Sequence, residues 1–304
     1  FTSYLSMLVW PMIALGWVVN VMERGFAALD RLNAILNEVP EVADSPGAIQ
    51  LEDVDGTLEF KDVTFSYRDG VPPALSDVSF KIDAGKTLAI VGRTGSGKTT
   101  IVNLLTRLYN PPEGSVFIDG HDILNVSLSS LRNQLGCVPQ DTFLFSSTIG
   151  ENIAFADRDF PQEEIGHYAT VAHVYDDIAG FPQGFDTTVG ERGVTLSGGQ
   201  KQRVSIARAL ITEPKILVLD DSLSAVDTQT EESILRGLGE FMHDRTCIII
   251  SHRISTVKDA DEIIVLDDGE VIERGTHESL LDQAGVYSEM YEKQLLEEEL
   301  AARG

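Results

Sequence analysis

Gly92-Arg93-Thr94-Gly95-Ser96-Gly97-Lys98-Thr99 fits the pattern G-x-x-x-x-G-K-[ST] and is followed by Thr100. Leu88-Ala89-Ile90-Val91 before it is a continuous apolar run, and Ile101, Leu104, Leu105 and Leu108 after it keep helical spacing. A buried strand, a glycine loop and a helix in immediate succession commit the chain to a sheet covered on both faces. The residue types also dictate a chemistry. The glycines let backbone N–H groups wrap a phosphate, the helix start adds positive potential, Lys98 reaches the outer phosphates, and Thr99 offers a hydroxyl to Mg²⁺.

Further apolar strands at Ile216–Leu219, Cys247–Ile250 and Ile263–Leu266 alternate with helical segments, as in a parallel sheet. The first ends in Asp220 and Asp221, and the second leads into Ser251 and His252. Ahead of the loop, Leu58, Phe60, Val63, Phe65 and Tyr67, then Val78, Phe80 and Ile82, alternate as half-buried antiparallel strands about a turn at Asp69-Gly70. Between Asp141 and Leu210 no apolar strand stands out, and the stretch reads as a mostly helical insertion.

The N-terminal segment has a different character. Residues 1 to 22 carry no charge, and as a helix they extend roughly 33 Å, the thickness of a bilayer's hydrocarbon. A core helix or a signal segment is the alternative, but the run is long for a signal and no basic residue precedes it. The first charges, Glu23, Arg24, Asp30 and Arg31, follow the run, so the side with arginine is expected to be cytoplasmic. An opening on Phe1 and a lone span carrying Pro11 and Gly16 lead us to expect a piece of a longer membrane protein. Phe26, Leu29, Leu32 and Ile35 continue the helix until Pro40, and residues 40–56 read as a linker.

A formal net charge of −25 opposes nucleic acid as a partner, because its phosphates need a basic face. Self-repulsion and solubility account for such a surface, with adaptation to high salt as an alternative source. Cys137 and Cys247 lie in apolar strand-like runs and read as small buried hydrophobes.

Leu196-Ser197-Gly198-Gly199-Gln200 has two readings. Ser197 and Gln200 form an S-x-x-Q capping box ahead of a helix with Val204, Ala207 and Leu210. Capping leaves Gly198 and Gly199 unexplained, since each glycine in a helix's first turn costs up to about 1 kcal/mol. Close approach of a phosphate to the backbone explains them, and both readings can hold together.

The phosphate loop, this pentapeptide and the acidic strand end, in that order, resemble an ATP-binding-cassette (ABC) ATPase. The resemblance covers Leu58 to about Glu289, while residues 1 to 45 resemble the last membrane helix of an exporter half. It implies an α/β fold: a P-loop NTPase, RecA-like parallel-sheet core with an antiparallel β subdomain and an inserted helical subdomain, preceded by one transmembrane helix. It further implies a division into residues 1–39 (membrane helix and cytoplasmic extension), 40–56 (linker) and 57–304 (nucleotide-binding domain). ATP and Mg²⁺ are the implied ligands, and a second half-transporter, identical or different, is the implied partner. The implied location is a cell (inner) membrane, with the nucleotide-binding domain cytoplasmic.

The resemblance gives roles residue by residue. Tyr67 is similar to the aromatic that stacks on adenine, although as a residue it is also simply the end of a strand. Gly92, Thr94, Gly95, Ser96, Gly97, Lys98, Thr99 and Thr100 hold phosphates. Thr99, Asp220 and Gln140 are implied at Mg²⁺, Gln140 also as a sensor of the membrane domain. Ser197, Gly198, Gly199 and Gln200 are implied to close over ATP held by the partner. Ser224-Ala225-Val226-Asp227 resembles the D-loop that crosses the dimer interface. His252 resembles the switch residue at the γ-phosphate, and Thr188–Gly193 the loop that contacts the partner's membrane domain.

One position departs from the family. Asp221 stands where a glutamate usually polarises the attacking water. One methylene withdraws its oxygens by roughly 1.5 Å, whereas a base acts from about 2.6–3.2 Å, and about 1 Å of misplacement costs on the order of a hundredfold. The expectation is a chain that binds ATP at its own site, hydrolyses it weakly there, and completes a competent site on a different partner. A non-hydrolysing regulatory subunit and a homodimer with Asp221 as base are the rival expectations. A soluble repair or translation protein is opposed by residues 1 to 22 and by the acidic charge.

Overall fold

The computed structural model describes residues 2–156, 159–190, 194–223 and 228–303. The chain forms two compact units, Phe1–Ala43 and Asp44–Gly304. In the first, a single helix, α1 (Thr2–Leu36), contains Pro11 and buries none of its residues. It is long and apolar enough to cross a membrane. At roughly 50 Å it exceeds the hydrocarbon thickness, and its charged end from Glu23 onward is the excess.

The second unit begins earlier than the sequence suggests. Leu51 and Val54 are buried in its core, Ile49 bridges to Val126, and the Asp44 carboxylate accepts the Leu128 N–H at 2.6 Å. Residues 44–56, expected as linker, are therefore a packed strap. Their apolar residues follow neither the helix nor the strand period, which hid them.

Strands β1 (Leu58–Phe65) and β2 (Leu75–Ile82) pair antiparallel, with Phe60 opposite Phe80. Two short strands, β4 (Val116–Ile118) and β5 (His121–Asp122), extend this sheet in the order β2-β1-β4-β5. The β1–β2 connection is wider than a tight turn, so Tyr67 lies beyond the strand.

The second sheet contains β3 (Thr87–Gly92), β6 (Leu135–Val138), β7 (Ile216–Asp220), β8 (Thr246–Ile250), β9 (Glu262–Asp267) and β10 (Glu270–Gly275). Its order is β10-β9-β3-β8-β7-β6, parallel except for β10 at the edge. Alternate residues feed two separate cores. Leu88, Ile90, Val218 and Ile248 face the antiparallel sheet together with α2 (Lys98–Leu105). Ala89, Val91, Leu219 and Ile249 face the helical insertion, which comprises α4 (Ile149–Ile153), α5 (Gln162–Val171), α6 (Tyr175–Ala179) and α7 (Gly198–Leu210). Burial on both faces is why these strands read as unbroken apolar runs. Also in this unit are α3 (Leu128–Asn133), α8 (Thr228–Met242), α9 (Ile254–Val257), α10 (His277–Asp282) and α11 (Val286–Arg303).

Candidate functional site

Four of the predicted site segments leave the same edge of the parallel sheet. The phosphate loop follows β3, His252 follows β8, Asp220 ends β7, and Gln140 follows β6. These four strands are consecutive neighbours, and they finish level: Ile90 and Asp220 both register with Ile250, and Leu219 with Val138. Ligand sites in open parallel sheets form beyond the carboxyl ends of the strands, where the loops converge.

The phosphate loop is shaped by its glycines. Gly92 has φ +153°, and a Cβ there would lie 2.1 Å from the Leu266 carbonyl oxygen. Gly97 has φ +102° and a Cβ there would meet the Ala74 carbonyl at 2.6 Å, so no other residue fits either end of the loop. Gly97 also opens α2 without a side-chain cap. The Thr94 and Gly95 backbone between them is exposed, as a phosphate cradle requires.

Lys98 is buried and its ammonium donates to the Gly92 and Arg93 carbonyls at 2.9 and 2.8 Å. Burial holds its pKa below the usual lysine range, against the pull of Asp221 and Asp220. Asp220 is 2% exposed. Burial pushes its carboxyl up, and a hydrogen bond from Thr99 pulls it down. A buried carboxylate sharing a hydroxyl is the oxygen donor set that Mg²⁺ takes, and Lys98 supplies the complementary charge for phosphate. The residues present thus fit a Mg²⁺–nucleotide.

Gln140 is exposed and lines a cavity of about 900 Å³ together with Thr99, Asp220, Cys137, Phe160 and Arg208. Burial raises the Cys137 and Cys247 thiols to about 12, which suits the inert role read for both. Asp221 continues the sheet, its N–H donating to the Ile250 carbonyl at 2.8 Å. Its backbone is left-handed at φ +47°, and its side chain, 11% exposed, holds Oδ2 3.7 Å from Nε2 of His252. Tyr67 is half-exposed at the other end of the loop. Its hydroxyl donates to Thr100 Oγ1 at 3.0 Å and accepts from Asn103 at 3.0 Å, while its ring stands edge-on to Tyr109, centroids 4.9 Å apart.

Ser197, Gly198, Gly199 and Gln200 open α7 in the helical insertion and do not follow a strand of the parallel sheet. Ser197 caps the helix, its Oγ accepting the Gln200 N–H at 3.2 Å, and Gln200 Oε1 accepts the Ser197 N–H at 3.0 Å. Gln200 also donates to Asp177, which pairs with Arg203 at 2.6 Å. Both Ser197 and Gly198 are exposed.

Residues 75–224 match the family model described as ABC transporter. The chain is 46% identical over 296 residues to a probable multidrug resistance ABC transporter ATP-binding/permease protein, YheI, of Bacillus subtilis, covering 97% of this chain and 50% of that protein. It is 46% identical over 298 residues to an ATP-dependent lipid A-core flippase of Idiomarina loihiensis, covering 97% and 51%. A solved bacterial Atm1-family ABC exporter with ATP bound superposes with a TM-score of 0.89 at 44% identity, covering 96% of this chain and 51% of that one. The chain belongs to the ABC transporter family. It spans about half the length of these relatives.

Two ABC segments read from the sequence fall wholly or partly beyond the described residues: Ser224–Asp227, and Glu191–Gly193 of the exporter-type loop. The first half of that loop is anchored, with Thr188 bridging to Thr148 and Gly190 against Ser146. The structure also shows two polar networks in the ABC domain that no motif announces. Arg208, whose pKa burial lowers, donates to the Phe143 carbonyl at 2.9 Å and the Asn152 carbonyl at 2.7 Å. Asn152 fixes both backbone groups of Phe145, so the stretch after Gln140 is fastened to α7. The second network joins Glu231 to Arg253 and Thr256, which follow His252 in the chain. Arg208 reaches partners 56 and 65 residues away, and Glu231 partners 22 and 25 residues away, beyond the reach of any spacing rule.

Proposed function

We propose that this chain is the ATP-binding portion of a membrane exporter half, with residues 1–39 as the last transmembrane helix and residues 57–304 as a cytoplasmic nucleotide-binding domain. The observation that carries this is the level row of strand ends, which gathers Lys98, Asp220, Asp221, His252 and Gln140 beside one glycine loop. Gly92 to Thr100 bind the phosphates, and Tyr67 receives the adenine. Thr99, Asp220 and Gln140 hold Mg²⁺. When bound, Mg²⁺ supplies charge neutralisation on the phosphate oxygens. Asp221 faces the water that attacks the γ-phosphate, with His252 steadying the phosphate.

The partner is a second half-transporter whose own phosphate loop is covered by Ser197, Gly198, Gly199 and Gln200 of this chain. The exposure of Ser197 and Gly198 supports that reading. We read the assembly as a heterodimer in which this chain's site hydrolyses weakly, because Asp221 is one methylene short of the family's glutamate. Dimerisation on ATP drives export, and hydrolysis mainly at the partner's site resets it.

The test is purification of the full-length protein with whatever subunit accompanies it, followed by ATP turnover with the partner's catalytic carboxylate removed. A different co-purifying subunit and a residual rate about a hundredfold below the intact assembly is the expected result. A high rate with the partner silenced, or a single kind of subunit, rejects the asymmetric reading in favour of a homodimer. Nucleotide binding without turnover stimulated by any transported compound favours a regulatory subunit.

A further inference from the structure

His252 sits in a segment that does not hold itself in place. Arg253, immediately after it, pairs through Nη1 with Glu231 Oε2, and the Thr256 hydroxyl donates to Glu231 Oε1. Both oxygens of this one carboxylate are thereby spent on the turn that carries His252. Glu231 lies in the first turn of α8 and is 2% exposed. The turn is tightened internally, the Arg253 N–H donating to Ser251 Oγ at 3.0 Å and that hydroxyl donating to Thr256 at 3.4 Å. Gln294 of α11 accepts the Ile254 N–H at 2.7 Å. Every residue flanking His252 from 251 to 256 that offers a polar side chain or N–H to these bonds is tied to another element or to its neighbour, while the His252 side chain itself stays 40% exposed toward Asp221.

The pair is buried on one side only, Glu231 being enclosed while the Arg253 side chain is 36% exposed. It adds little stability, because solvent screens the cation and desolvation of the carboxylate offsets the Coulomb energy. Such a pair is better accounted for by the geometry it enforces, and the geometry enforced here is that of the His252 backbone. We propose that Glu231 is a positioning residue for His252: through Arg253 and Thr256 it fixes the distance of the imidazole from Asp221 and hence from the γ-phosphate. Because α8 starts directly after residues 224–227, the same carboxylate ties the position of His252 to the helix that follows the D-loop segment. This rests on the reading of His252 given above.

The experiment is a double-mutant cycle on the assembled transporter with the partner's catalytic carboxylate removed, reading single-turnover γ-phosphate cleavage at this chain's site alongside ATP affinity and thermal unfolding. Glu231→Gln keeps shape and loses the charge. It lowers the cleavage rate by about tenfold, as a displacement of about half an ångström does, with ATP affinity changed by less than about twofold. In a His252→Ala background the same substitution has no further effect on the rate, since the group it positions is gone. Thr256→Val, which removes one hydroxyl and keeps volume, follows the same pattern with a smaller loss, and decides the matter if Glu231→Gln fails to assemble. An equal loss of rate in both backgrounds, or no loss in the parent, overturns the inference and leaves the role of His252 standing. An unchanged rate in His252→Ala alone overturns both.

Discussion

The phosphate loop and the Leu196–Gln200 start of α7 are both helix starts opened by glycine, yet they are finished in opposite ways. At α2 the cap residue is Gly97, which has no side chain to close the helix end, and the adjoining charges of Lys98 and Asp220 are buried. At α7, Ser197 and Gln200 close the helix end reciprocally, and Gln200 is held further by Asp177. The first concentrates buried charge beside an uncapped helix start; the second carries a reciprocal side-chain cap. Under the proposed function the α7 start is exposed and covered in each cycle, and a helix end used that way gains from carrying its own cap, which tolerates water and phosphate alike. A loop that keeps its nucleotide needs no such provision.

Lys98→Ala breaks the comparison at its stronger side. Removing the ammonium loses charge-assisted hydrogen bonds to phosphate worth about 1.5–3 kcal/mol, so ATP affinity of the chain falls by roughly one to two orders of magnitude, read by titration with a fluorescent nucleotide. Unchanged affinity places the nucleotide elsewhere and ends the contrast between the two helix starts.

Ser197→Arg tests the other side. A bulky cation at the start of α7 blocks approach of a phosphate while leaving the chain's own loop untouched. Nucleotide affinity of the isolated chain stays within about twofold, and turnover of the assembled transporter drops on the order of a hundredfold. Normal turnover in the assembly excludes a site completed across subunits.

Asp221→Glu sharpens the account of the loop's own site. The added methylene brings the carboxylate toward the attacking water, and hydrolysis at this site rises about tenfold in an assembly with a silenced partner. The left-handed backbone at φ +47° limits the gain. Aspartate accepts that conformation more readily than glutamate, so the variant also loses about 1 kcal/mol of stability. A flat rate means that Asp221 already serves as the base or that the surrounding geometry departs as well.

The smallest effect concerns Asp220. Its folded-state pKa is raised by burial, so protonation favours the nucleotide-free fold at low pH, and that contribution is lost as pH rises through the raised value. Asp220→Asn removes the penalty at neutral pH. Calorimetry without nucleotide should show unfolding shifted upward by roughly 2–4 °C, while Mg²⁺-dependent binding weakens. A lower unfolding temperature contradicts a ligand site maintained at the expense of the empty fold.

What the sequence made legible follows from burial. β3, β7, β8 and β9 are covered on both faces and so appear as unbroken apolar runs, and Gly92 and Gly97 are dictated by backbone contacts that leave no alternative residue. The strands β4 and β6 have three and four residues, too few to show a period, and the strap at 44–56 has none. Tyr67 keeps the alternation of β1 beyond its last residue, Phe65, so the pattern overruns the strand. Glu231 with Arg253, and Arg208 with Asn152, are joined by helix packing across the fold. A single sequence carries no trace of such pairs.

Gly92 registers with Leu266, and Gly269 donates its N–H to the Ser96 carbonyl at 3.1 Å, so the last hairpin of the sheet closes over the loop from behind. Synthesis reaches the glycine loop long before the strand against which it must lie. The expected outcome during translation is that the motif leaves the ribosome unformed and gains its nucleotide affinity when the β9–β10 hairpin emerges and pairs. Nascent chains arrested short of residue 262 should fail to retain ATP even though the entire glycine motif is present, making nucleotide capture a late signal that the domain has finished folding.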